Sequence, residues 1–258
     1  MNHTLPSPPK PRAPEAEMVW VIVPFSRPEN LNLILSNFNR QAFPYKKLVL
    51  VENGDAVGAA HSLQSSALVL MSERHQSIAK NLALSEIRKR GGGFTAIMDD
   101  DDWYGPGYLS ELVGYARTHD IVGKARNFIS VDGKMWLCGR EQAMNKAGWL
   151  TGGTIACWAE NCPEYPMKKV GEDVGFCDRA HSLGMSLFAT SVYHYLYRRN
   201  TGGRHAWNVT HQKLRLQSSA MRSLDLGDED LDVVCGNKLD VNVKALAAYA
   251  TGEKHVTA

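Results

Sequence analysis

The sequence predicts an α/β protein built on a doubly wound, mostly parallel sheet. Short apolar segments without alternation, at residues 19–23, 47–51 and 94–98, suit strands buried on both faces. Segments with apolar residues at helical spacing lie between them. Polar, glycine-bearing or acidic turns follow the strands, on the edge where open α/β sheets collect their ligands.

Taken in order, residues 1–17 hold five prolines and few large apolar side chains, which predicts a disordered or extended tail. The strand at 19–23 runs into Pro24-Phe25-Ser26-Arg27-Pro28-Glu29, where Ser26 and Glu29 have capping-box spacing. Leu31, Ile34, Leu35 and Phe38 then form the apolar face of a helix. The strand at 47–51, closed by Glu52-Asn53-Gly54, completes a βαβ unit with a right-handed crossover. A short strand at 67–71 and a helix over 77–90 repeat the pattern, the helix stopped by Gly91-Gly92-Gly93. After the strand ending at Asp99, a helix over 108–117 turns Leu109, Leu112, Val113 and Ala116 inward.

Beyond Ile121 the texture changes. Asp132-Gly133 between two apolar segments signals a hairpin. Residues 149–158 read as a strand whose pair Gly152-Gly153 lets another group approach closely. Gly171-Glu172-Asp173 opens a helix with acids in its first turn, and residues 187–192 read as the last strand. The segments 18–120, 121–204 and 205–258 are thus expected as a ligand-binding half, a second half with antiparallel character and a partly helical extension.

Four consecutive carboxylates, Asp99 to Asp102, stand where the central strand emerges. Packed like charges repel, and a divalent cation sharing the site relieves the cost. The formal net charge of +2 makes no case for a nucleic-acid or membrane-surface partner. No apolar run reaches the roughly 20 residues of a membrane span, and no signal-peptide core is seen, so a soluble, cytoplasmic protein is expected. Five cysteines without tight pairing suit reduced thiols, with Cys157 and Cys162 as buried structural residues rather than a zinc site.

Pro24 to Arg27, Glu52-Asn53-Gly54, Ala79-Lys80-Asn81, the Asp99 and Asp101 pair, Gly152-Gly153 and Glu172-Asp173 occur in this order. Together they resemble a family 2 glycosyltransferase of the GT-A fold, an inverting enzyme that uses nucleotide sugars. The resemblance covers residues 19–204. Glu52-Asn53 stands where that family usually has two aspartates, and Lys80 where it usually has arginine. The resemblance implies a divalent metal, Mn2+ or Mg2+, held by Asp101 and Asp99, with His194 after the last strand as a third ligand. It implies a donor site of Pro24, Phe25, Arg27, Glu52, Lys80, Asp99 and Asp100. Arg198, Arg199 and Arg204, on a loop able to close, would meet the diphosphate. Asp173 would be the base, and Glu172 would serve the start of the helix. Phe25 stacking on a base, and Glu52 accepting from an imide N–H, would favour a UDP-sugar.

Each assignment has a plainer counterpart: a solvated basic loop, a packed histidine, acids complementing a helix dipole. A sugar-nucleotide nucleotidyltransferase shares the metal logic but needs a glycine-rich phosphate loop after the first strand, which Pro24-Phe25-Ser26-Arg27 is not. An inactive sugar- or nucleotide-binding module is the other alternative. The acceptor is open among glycans, proteins and, given Arg204, Lys213, Arg215 and Arg222, modified nucleic acid.

Overall fold

Burial decides which of these segments become strands. In a computed structural model that describes residues 18–73, 75–131, 134–139, 143–168, 171–199 and 224–225, β1 (Val19–Phe25) is buried along its whole length. Beside it lie β2 (Lys46–Glu52), β3 (Leu68–Met71) and β4 (Phe94–Ile97), all parallel, in the order β3-β2-β1-β4. The helices α1 (Leu31–Arg40) and α2 (Gln76–Lys89) make the crossovers. Two apolar clusters fill the two sides of the sheet. One gathers Ile22, Val49, Ala83 and Ile87, the other Val21, Leu50, Ile34 and Leu112.

The chain then passes β5 (Trp103–Tyr104), α3 (Tyr108–Tyr115), β6 (Ile121–Gly123), β7 (Arg126–Val131), β8 (Lys134–Gly139) and β9 (Asn145–Lys146). After β10 (Ala156–Trp158) come α4 (Glu172–Ser182), β11 (Leu187–Ala189), β12 (Tyr195–Arg199) and β13 (Leu224–Asp225). The first sheet continues past β4 as β10-β6-β11-β9, with β10 antiparallel to both β4 and β6. A second sheet has the order β13-β8-β7-β12-β5, and its β7–β8 pair is the expected antiparallel hairpin. The sheet logic of an α/β fold with a smaller, more antiparallel part is therefore present.

Four local expectations are corrected. No side chain caps the start of α1: a 3-10 turn at Pro28–Asn30 precedes it, and neither N-cap residue makes a side-chain hydrogen bond. Residues 149–158 are not one strand, because a 3-10 turn at Gly152–Thr154 breaks them before β10. β11 is not the last strand, since β12 follows it and pairs with β7 and β5. Cys157 and Cys162 form a disulfide rather than two separate thiols. The turn after β10, with the Cys162 N–H donating to Trp158 O, brings their Cα atoms to 5.8 Å, within disulfide range. The tail at 1–17, the turn Asp132-Gly133, Arg204 and nearly all of the extension at 205–258 lie outside the described residues. Among the described residues no helix is long and apolar enough to cross a membrane.

Candidate active site

The carboxyl ends of parallel strands leave polar turns on one edge of the sheet, and here those turns enclose a cleft of about 1140 Å³. Its walls come from the ends of β1, β2 and β4, the start of α4, the β7–β8 hairpin and β12. At its centre the pair Gly152-Gly153 seats two acids. A Cβ at Gly152 would meet Asp173 Cβ at 3.1 Å, and one at Gly153 would meet the Asp99 carboxylate at 2.6 Å. The missing side chains are thus the reason that Asp99 and Asp173, 74 positions apart in the sequence, reach the same short turn.

Tyr104 holds that turn in place. Its hydroxyl donates to Gly153 O and accepts from Asp99 N–H, both at 2.7 Å. Tyr104 also packs against Tyr108 and Tyr195, with ring centroids 4.9 and 5.2 Å away. Tyr195 donates to Asp102 at 2.7 Å, and the Arg198 N–H donates to the same carboxylate at 2.9 Å. Asp102 is fully buried and ties β12 to the acidic turn.

Cations meet the acidic run from three elements. Arg27, after β1, pairs with Asp100 and reaches Asp101 at 3.0 Å. Arg199, at the end of β12, lies 3.3 Å from Asp101 and 3.2 Å from Asp102. Lys80, buried on α2, pairs with Glu172. Burial pushes the Asp99 carboxyl up to about 6, against the pull of Lys80. Burial alone would lower Lys80, but Glu172 and then Asp99 outweigh it and hold the ammonium charged.

The cleft brings together Pro24, Arg27, Lys80, Asp99, Asp100, Asp101, Glu172, Asp173 and Arg199. Four expected members behave differently. Both Glu52 oxygens accept backbone N–H groups, from Gly58 at 2.9 Å and Ala60 at 2.6 Å, and Glu52 does not line the cleft. Phe25 borders the cleft, but it is 1% exposed and packs within a core cluster, which leaves no open face for stacking. Arg198 offers its backbone N–H to Asp102 and is not among the lining residues. His194 packs over Gly105 and Gly107, away from the cleft, and burial lowers its pKa. Arg204 lies outside the described residues.

Sequence reading gave no site role to Tyr104, Tyr195, Asn53 or Trp149, of which Asn53 and Trp149 line the cleft. The aromatic pair directly after the acidic run was the one available signal for Tyr104.

Asp99 and Asp101 offer hard carboxylate oxygens two residues apart on the cleft wall, a donor set that fits Mn2+ or Mg2+ with diphosphate oxygens as further ligands. Among the described residues no group of three or more His, Cys, Asp or Glu is placed to hold a metal, so His194 does not complete such a set.

Residues 1–349 of S. aureus TarS superimpose with a TM-score of 0.51 at 18% identity, covering 70% of this chain and 60% of that one. The mannosyltransferase PcManGT from Pyrobaculum calidifontis, solved with GDP-Man and Mn2+, gives a TM-score of 0.51 at 16% identity, covering 77% and 62%. The chain has the GT-A fold. A TarS 1–349 structure in complex with UDP matches at a TM-score of 0.50. This GT-A chain spans about 60% of the length of these solved structures. No family model and no curated protein matches the sequence.

Proposed function

We propose that this cleft transfers a sugar from a nucleoside diphosphate donor to an acceptor hydroxyl, in one displacement with inversion. The observation that carries the reading is the convergence of Asp99 and Asp173 on Gly152-Gly153. It supports a leaving-group side and a base side facing each other across one short turn. The structural neighbours solved with GDP-Man and with UDP support a nucleotide-sugar donor.

The roles follow from charge. A hard divalent cation held by Asp99 and Asp101 would supply neutralisation of the leaving diphosphate. Arg27 and Arg199 already converge on Asp101, and a diphosphate entering there meets two guanidinium groups suited to bidentate phosphate contact. Lys80 holds Glu172 and so fixes the start of α4. Asp173, the next residue, lines the cleft and accepts from its neighbour's Val174 N–H at 2.9 Å, which orients the carboxylate that takes the acceptor proton. UDP loses the two residues expected to select it, Glu52 and Phe25, and serves as the first donor to test.

The experiment is hydrolysis and transfer from UDP-sugars with manganese, comparing the wild type with Asp173→Asn. Donor binding should persist while turnover falls by roughly 10²–10⁴, the usual contribution of a positioned base. The product should have inverted anomeric configuration. Wild-type turnover in the variant, or a retained product, would refute the mechanism.

A further inference from the structure

The two segments that meet at Gly152 and Asp173 meet again further out. A Cβ at Gly152 would touch Asp173 Cβ at 3.1 Å, and beyond that contact Gly148 O lies 3.0 Å from His181 Nε2. Between the two contacts the segments run side by side as the walls of a slot at one end of the cleft. Trp149 lines one wall. On α4, Val174, Asp178 and His181 share one face by their helical spacing, and Val174 and Asp178 line the other wall.

The slot combines apolar surface with two charges. Trp149 is half-buried and packs against the core. Its indole N–H is buried without a hydrogen-bond partner, so the ring offers carbon rather than a donor to the cleft. Val174 is exposed beside it, and water covers such apolar surface at a cost. Asp178, also exposed, supplies a carboxylate that only accepts. Lys168 supplies a donor from the cleft wall, its ammonium 2.9 Å from where a Cβ on Gly175 would stand. Lys80 and Glu172 cancel as a pair, which leaves Asp173 and Asp178 against Lys168 and makes this end net negative.

A neutral pyranose matches these features together. Its C–H face covers an aromatic ring, while its hydroxyls donate to a carboxylate and accept from an ammonium. A phosphate- or carboxylate-bearing acceptor meets Asp173 and Asp178 with like charge. A lipid tail would take Asp178 and Lys168 out of water without giving them partners. We infer that Trp149, Val174 and Asp178 form the acceptor subsite, and that it takes a neutral sugar residue stacked on Trp149. The subsite has this role only if the cleft transfers sugar as proposed above. The acceptor hydroxyl oxygen then bonds to the anomeric carbon and its proton passes to Asp173. The bond from that carbon to the diphosphate oxygen breaks, and the nucleoside diphosphate leaves with the bonding electrons.

The test is saturation-transfer difference NMR of the full chain with UDP and magnesium. The probes are the methyl glycosides of glucose, galactose, mannose and N-acetylglucosamine, each also as its 6-phosphate. At least one methyl glycoside should receive saturation, strongest on the protons of one ring face, and its 6-phosphate should bind more weakly. Trp149→Ala should weaken the neutral sugar roughly tenfold. Trp149→Leu, which keeps apolar packing against the core but no ring, should lose as much. Asp178→Asn should narrow the gap between sugar and sugar phosphate roughly fivefold. A UDP-induced rise in melting temperature that persists in every variant shows that fold and donor site are intact. With that rise present, the inference is overturned if no methyl glycoside binds, if the phosphates bind as well, or if the ring-less variants match the wild type. The donor reading then still stands. A wild type whose melting temperature does not respond to UDP overturns the donor reading and the acceptor subsite with it.

Discussion

On the proposed donor reading, Asp99 is where protonation and metal binding would meet. Its half-buried carboxyl packs against Gly153, and desolvation raises it to about 6 from the ordinary carboxylate range. Two opposite pH trends follow. For stability, a folded-state value above the unfolded one means that the folded chain binds the proton more tightly. This contribution is fully present below about pH 4 and is lost as pH rises through about 6. For binding, a cation at Asp99 and Asp101 competes with that proton, so manganese-dependent UDP affinity should fall as pH drops below about 6. Calorimetry at pH 7.5 and pH 5 checks the second trend. Asp99→Asn checks the first: its stability relative to wild type, measured by denaturant midpoint, should be most favourable at neutral pH and shrink toward pH 4. Equal differences at both pH values would remove the burial argument.

Among the elements, the junction of α2 with α4 departs most from what the sequence suggests. From the sequence, Glu172 reads as an acid serving a helix start and Lys80 as part of the donor site. Folding instead turns Lys80 onto Glu172, while Ser77 donates to the same carboxylate at 3.1 Å. Lys80 is fully buried, so removing its partner leaves a charge that water cannot reach. Glu172→Gln should therefore cost about 3–5 kcal/mol, as breaking buried pairs does. Asp173→Asn, a half-buried site with no such partner, should stay within about 0.5 kcal/mol of wild type. Denaturant titration of both variants separates the structural acid from its neighbour. The contrast shows what the sequence makes legible. Parallel strands announce themselves because burial on both faces leaves them uniformly apolar, and the acidic run stands out at the end of one. Side-chain partners 92 positions apart, as Lys80 and Glu172 are, leave no local trace. The same holds for Glu52, whose partners are loop N–H groups six and eight residues on. β12 hid because Tyr195-Leu196-Tyr197-Arg198-Arg199 reads as a polar, basic stretch. Its strand state is imposed by pairing with β7 and β5.

On the scale of the molecule, the cleft is a joint between the two sheets. Residues at the ends of β1 and β2 belong to the first, and Asn127, Ile129, Tyr197 and Arg199 belong to the second. Asp102 and Tyr104 already lace the two together through Tyr195 and Gly153. The charges left facing the cleft are arranged for a third tie. Arg27 comes from the first sheet and Arg199 from the second, and both reach one oxygen of Asp101. A diphosphate bound between these guanidinium groups bridges the sheets directly, whereas a monophosphate has fewer oxygens to share between them. Ligand that binds only the folded state stabilises it by about 2.7 kcal/mol at a hundred times its dissociation constant. For a chain of this size each kcal/mol raises the melting temperature by about 2–4 °C. Saturating UDP with manganese should thus raise the melting temperature by roughly 5–11 °C. UMP at the same concentration should give a clearly smaller shift, and Arg27→Gln or Arg199→Gln should reduce the UDP shift toward the UMP value. Differential scanning calorimetry of the full chain makes the comparison. Equal shifts with UMP and UDP would mean that the nucleoside alone is held and that the paired arginines do not grip the diphosphate.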